Sequence, residues 1–224
     1  MRIKFIKASY EIDMLGQTGI EKLKHIEKVA RLCYKTEDRI TDNSYEKLIR
    51  HLVKNGHLAM LEHASVAVKF IANRAFTHEL VRHRVASFAQ ESQRYVGYGD
   101  CIEFIIPPWA SNAILIENEE QDLDGFMIRD LACPEHSWIR SMVNSAKYYR
   151  DLLNWGWKPE QARTVLPNAA KTEIWINTNL REWMHVKGLR DHHTASPEMR
   201  ELMNPLFQDF AYNIPIVFDK EKYE

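Results

Sequence analysis

Long apolar runs are missing from this sequence. The stretch MRIKFIKASYEID is broken by charge after two or three apolar residues, and no segment approaches the roughly 20 that span a bilayer, so no membrane partner is expected. Cysteine is scarce as well. Cys33, Cys101 and Cys133 are widely separated and include no CxxC pair, which argues against a disulfide framework and a thiolate metal site and favours a reducing, cytoplasmic setting for a soluble, unprocessed protein. An excess of either charge is also lacking: 30 Lys+Arg face 31 Asp+Glu, a net charge of −1. There is thus no global basic field for nucleic acid and no acidic surplus that implies disorder, so an anionic ligand has to be held by a local cluster. No GxGxxG follows a strand-like segment, which removes the Rossmann fingerprint. HExxH and paired Cys/His spacings are absent around His57, His63, His192 and His193, so no metal is expected.

What is present is enough apolar content, 45% of 224 residues, for one substantial core, and the whole of 1–224 is read as a single domain. Residues 18–34 set Ile20, Leu23, Ile26, Ala30 and Cys33 on one helical stripe behind Thr18 as N-cap. A second helix starts near Asn43, with Glu46 completing a capping box. It buries Tyr45, Leu48, Ile49 and Leu52, stops at Gly56 and delivers His57 into a loop. Residues 65–71 alternate as a half-buried strand, 74–88 return to helical periodicity, and 102–106 form a short strand ended by Pro107-Pro108. The polar stretch 111–137 has the composition of a flexible surface excursion. A helix begins at Pro134 with Ile139, Met142, Val143, Ala146, Tyr149 and Leu153 and stops at Gly156. A strand follows over 172–178, then a helix over 180–187 capped by Asn179. The last helix starts at Ser196-Pro197 and is kinked at Pro205. Without a βαβ repeat, the pattern reads as α+β, a mainly antiparallel sheet flanked by helices.

The chemistry concentrates between Glu79 and Arg94, ELVRHRVASFAQESQR, where Arg82, His83, Arg84 and Arg94 lie among Ser87, Gln90, Glu91 and Ser92. On a helix, consecutive residues point about 100° apart, so three adjacent basic side chains cannot all share one solvated face. The cluster reads either as a solvated or interface charge patch or as an anion site, for which arginine's planar fork suits phosphate and carboxylate.

Arg82-His83-Arg84, seven residues and then Ser92 resemble the RHRx7S signature of flavin-dependent thymidylate synthases. Further segments are similar to that family: His57-x4-Glu62-His63, Gln161-Ala162-Arg163-x2-Leu166-Pro167, and Asn179-x-Arg181-x3-His185-x4-Arg190. Ala59 and Met60 stand where the family more often has a polar residue and proline, and Gln90 where it often has glutamate. The resemblance implies the family's α+β fold and a homotetramer with sites at subunit interfaces. It also implies reductive methylation of dUMP to dTMP, with 5,10-methylenetetrahydrofolate as methylene donor, NADPH-reduced FAD as hydride source and tetrahydrofolate as product. By the same resemblance FAD contacts His57, Arg82, His83, Arg84, Gln90, Asn179, Arg181 and His185. For dUMP the implied set is Glu79, Leu80, Val81, Arg82, Gln90, Glu91, Ser92, Gln93, Arg94, Arg163 and Arg190, with Arg190 the catalytic group stabilising charge on the base. The C5 of dUMP then becomes nucleophilic through polarisation rather than through covalent attack by a side chain.

Plainer readings stand beside these. Ser92 lacks the G-x-S-x-G elbow of an activated serine, which leaves it a phosphate ligand. Cys133 reads as a loop or core thiol, and Trp138, Trp155, Trp157, Trp175 and Trp183 as core. Arg163 could serve only as a helix C-terminal charge. Two other function classes compete with the enzyme. One is a non-catalytic nucleotide-binding regulator, which would hold no flavin. The other is an RNA-binding module stacking bases on Tyr95 and Tyr98, with steep salt dependence.

Overall fold

The computed structural model describes residues 1–110, 117, 119–126 and 133–219. Within the 111–137 excursion, 111–116, 118 and 127–132 lie outside the described residues, whereas 120–122 form a strand and a helix starts at Pro134. In chain order the elements are β1 (Arg2–Ile6), β2 (Ser9–Asp13), α1 (Gly19–Leu32), α2 (Ser44–Lys54), β3 (Ser65–Asn73), α3 (Arg74–Leu80), β4 (Ser87–Gln90), β5 (Cys101–Ile105) and β6 (Glu120–Asp122). They continue with α4 (Pro134–Asn154), α5 (Pro159–Ala162), β7 (Lys171–Asn179), α6 (Leu180–Arg190) and α7 (Pro197–Asn213). The mixed α+β class holds. One sheet runs β5-β1-β6 and the other β2-β3-β7-β4, and β1 pairs in parallel with β5 and antiparallel with β6.

Two compact units form from interleaved stretches. The first is Met1–Ser9, Phe70–Arg82 and Ala89–Ile174; the second is Tyr10–Lys69, His83–Phe88 and Trp175–Glu224. In the first unit, alternation along β1 and β5 buries Ile3, Phe5, Ile102 and Phe104 against Ile139, Met142, Val143 and Ala146 of α4. In the second, Trp183 of α6 is fully buried edge-on to Phe210, with ring centroids 5.2 Å apart, and its indole N–H donates to Val66 O at 3.0 Å. Each such side chain contributes about 1.5–3 kcal/mol by leaving water.

Several local expectations hold for their stated reasons. Thr18 caps α1 in a full capping box with Glu21, and Asn179 Oδ1 accepts the Glu182 N–H at 2.9 Å to start α6. Gly56 and Gly156, at φ +69° and +88°, end α2 and α4 in the left-handed conformation. Other expectations are corrected. Asn43 makes no side-chain cap and the box with Glu46 does not close; Ser44 Oγ instead donates to Thr41 O just ahead of the helix. The helix expected over 74–88 ends at Leu80, and Ser87–Gln90 is a strand. Arg82 therefore sits in the turn after α3 and His83 and Arg84 in the irregular segment before β4, where the helical-wheel argument for their separation does not apply. α6 extends to Arg190 rather than 187, which carries the arginine into its last turn. Of the tryptophans, Trp183 is core and Trp138 packs on the core, but Trp155 and Trp157 are exposed. Ile20 and Cys33 lie on the exposed side of α1.

Candidate active site

In the second unit, α6 gathers the site. Beginning at Asn179, it places Arg181, Glu182 and His185 in its first two turns and Arg190 in its last, where the helix C-terminus favours a cation. His83 reaches this helix from the irregular segment before β4. Its ring is 4% exposed and edge-on to His185, with centroids 5.9 Å apart. Arg190 Nε donates to His83 Nε2 at 3.0 Å, and His83 Nδ1 lies 3.5 Å from Glu182 Oε1. Burial, and then the charges of Arg190 and His185, push the imidazole pKa down to about 4, so the ring is neutral at neutral pH. A guanidinium nitrogen can only donate, so Nε2 is bare and the single ring proton sits on Nδ1, toward Glu182. Burial raises the Glu182 pKa.

His83, Glu182 and His185 also form a potential three-ligand metal cluster, with ligand atoms within 4.8 Å of one another, a grouping that sequence spacing did not reveal. The tautomer opposes that use. While Arg190 donates to Nε2, the nitrogen facing Glu182 carries a proton and has no lone pair to offer a metal.

Beside this cluster is a cavity of about 710 Å³, lined by Leu58, Val85, Met184, Asn179, Arg181, His185 and Lys187, with Glu62 and Glu182 among its polar groups. Its apolar patches and two cations fit a ligand with a flat aromatic part and an anionic part, as FAD has. Arg181 Nη1 is held by Glu62 Oε1 at 2.5 Å, and Lys187 pairs with Asp191. Of the expected flavin contacts, Asn179, Arg181 and His185 line this cavity. Arg84 is exposed in the segment before β4. His57 is exposed just before the 58–63 turn, edge-on to His51 at 6.2 Å.

The first unit assembles the segment Gln90–Arg94. Gln90 Nε2 donates to Thr77 Oγ1 at 3.1 Å and to Thr172 Oγ1 at 3.2 Å, and both threonines are fully buried. Thr77 spends its own hydroxyl proton on Arg74 O, which fixes the amide with its NH₂ toward the threonines. The Glu91 N–H donates to Glu173 O at 2.9 Å. Its carboxylate accepts from Tyr98 Oη at 2.8 Å and from Lys171 Nζ at 3.3 Å, so this side chain braces the segment from within. Burial opposes the charge on Lys171, but the bond to Glu173 and the carboxylates of Glu91 and Glu103 outweigh it and hold its pKa above the ordinary value. Burial and the bond to Glu91 raise the Tyr98 pKa. Lys171 carried no site signal in the sequence, because Glu91 lies 80 positions away from it; Tyr98, offered by the sequence as a base-stacking residue, is engaged by Glu91.

The backbone then folds over Ser92. Its Oγ accepts from the Arg94 N–H at 3.3 Å, and its carbonyl accepts from Tyr95 and Val96. Gln93 is buried. Arg94 is exposed, over the Tyr95 ring at 5.3 Å and 3.5 Å from Glu160 in α5. Arg163 caps the end of that helix, so α5 links the two arginines expected at phosphate. Glu79 lies in the last turn of α3 and Arg82 just beyond it. Val81 is 39% exposed, whereas Leu80 is fully buried and can offer a ligand only its backbone.

The chain matches the family model described as thymidylate synthase complementing protein over residues 15–216. It is 33% identical over 178 residues to a flavin-dependent thymidylate synthase of Pyrococcus furiosus, covering 78% of this chain and 66% of that one. It is also 33% identical over 212 residues to the Corynebacterium efficiens protein of that name, covering 89% and 79%. With the Geobacter sulfurreducens one it shares 35% over 197 residues, covering 84% and 77%.

Proposed function

The chain belongs to the flavin-dependent thymidylate synthase family, and on that premise we propose that it converts dUMP to dTMP, with 5,10-methylenetetrahydrofolate as one-carbon donor and NADPH as reductant. The observation carrying this reading is the extent of the family match. Residues 15–216 include every segment from His57 to Arg190 that resembles the family's motifs. When bound and reduced, FAD supplies the hydride that completes the methyl group.

This chain's residues then have distinct tasks. Arg94 and Arg163 neutralise the phosphate of dUMP, with Ser92 and nearby N–H groups completing its shell. Gln90, its NH₂ committed to Thr77 and Thr172, offers its oxygen as an acceptor. Arg190 stabilises negative charge developing on the uracil, which enriches C5 in electrons without a covalent bond to the protein. Asn179, Arg181 and His185, with Arg82, Arg84 and His57, hold the flavin. Because each compact unit draws on three separate stretches of chain, we take 1–224 as one folding domain, and the working form as a cytoplasmic homotetramer with sites at subunit interfaces.

The test is the visible spectrum of the protein after FAD is added and excess removed, followed by anaerobic NADPH with and without dUMP. Retained flavin, bleached by NADPH at a rate that dUMP changes, is the expected result. No retained flavin would overturn the proposal.

A further inference from the structure

We propose that His83 is a positioning residue for Arg190: its bare Nε2 pins the guanidinium at Nε, and Glu182 on the far side of the ring keeps the imidazole proton on Nδ1. The inference deepens the function proposed above, since it rests on Arg190 acting at the base. Two α6 side chains, eight residues and about 12 Å apart along the helix, close on one buried ring from opposite sides. Arg190 Nε approaches at 3.0 Å, and the Glu182 carboxylate stands 3.5 Å from Nδ1. The Glu182 backbone is itself fixed by the Asn179 cap.

An arginine at a helix end has a long stem with many rotamers, so its head is positioned only by what holds it. Holding Nε fixes the plane of the fork and the direction of its two terminal nitrogens, the edge used for bidentate recognition. The 4% exposure of His83 keeps water from competing for that bond.

The experiment compares His83→Gln with His83→Asn. Glutamine carries its acceptor oxygen at about the reach of Nε2, asparagine at that of Nδ1. With dUMP saturating, His83→Asn should lower kcat about 10- to 100-fold, the range for losing a hydrogen bond to a charged group. With FAD saturating as well, His83→Gln should recover at least about tenfold of that loss. Equal loss in the two variants, or loss in neither, would overturn the proposal.

A second measurement does not require turnover. In the wild-type protein, ¹⁵N correlations of the His83 ring should show a protonated Nδ1 and a bare Nε2, with the Arg190 Nε–H slow to exchange. A protonated Nε2 would refute the positioning role even if His83→Asn proved too unstable to assay. Wild-type protein inactive on dUMP but with this ring signature would contradict the proposed function and leave the His83–Arg190 contact standing.

Discussion

The neutral state of His83 makes a measurable demand on stability. Its pKa falls from 6.5 to about 4 because the ring is buried, with Arg190 and His185 beside it adding to the fall. In the unfolded chain the imidazole titrates near 6.5, so between pH 6.5 and 4 the unfolded state binds the extra proton and the folded state does not. Stability therefore falls as pH drops through this window; the contribution is complete above pH 6.5 and lost by about pH 4. At about 1.4 kcal/mol per tenfold change in proton affinity, His83 accounts for roughly 3 kcal/mol of that fall. Carboxylates titrate in the same range, so the informative quantity is the difference from His83→Gln, which has no proton to gain. Urea unfolding at pH 7, 6, 5 and 4 should show the wild type losing more stability than the variant across the window. Parallel pH profiles would refute the assignment of His83 as a buried neutral imidazole.

Arg190→Ala should reduce kcat on the order of 100-fold or more while flavin stays bound, because it removes charge stabilisation at the base; unchanged turnover in a deoxyuridylate methylation assay would dismiss that role. Arg163→Ala should raise the dUMP dissociation constant about tenfold to a hundredfold, which calorimetry would read, and an unaltered constant would count against a phosphate contact. Thr77→Val leaves one Gln90 N–H without its acceptor and should cost about 1–3 kcal/mol in a urea melt. Gly19→Ala should destabilise by about 1–3 kcal/mol, since a Cβ there would stand 1.8 Å from Asn213 O; an unchanged melting temperature would show that this approach relaxes freely.

Local signals in the sequence located much of this architecture. Thr18, Asn179, Gly56 and Gly156 act within a few residues of themselves, so caps and stops could be placed without knowing the fold. The 74–88 segment misled because Val81, Val85 and Phe88 keep a helical spacing, while what ends the helix is distant. Gln90 is held by Thr172, Glu91 N by Glu173 and Val85 O by the Thr178 hydroxyl, all from β7. In the site, arginine-rich motifs identified His83 and Arg190 separately, but not that they touch across 107 positions of sequence. Glu182 carried no signal at all, since a glutamate in a helix's first turn reads as an ordinary response to the macrodipole. Gly19 likewise resembles a routine helix-start residue until the carbonyl of Asn213 is seen against it.

The most direct test of the central claim is product analysis of the FAD-loaded protein incubated with dUMP, 5,10-methylenetetrahydrofolate and NADPH. dTMP should form together with tetrahydrofolate, and none should form when NADPH is withheld. Absence of dTMP, or dTMP accompanied by dihydrofolate, would contradict the claim.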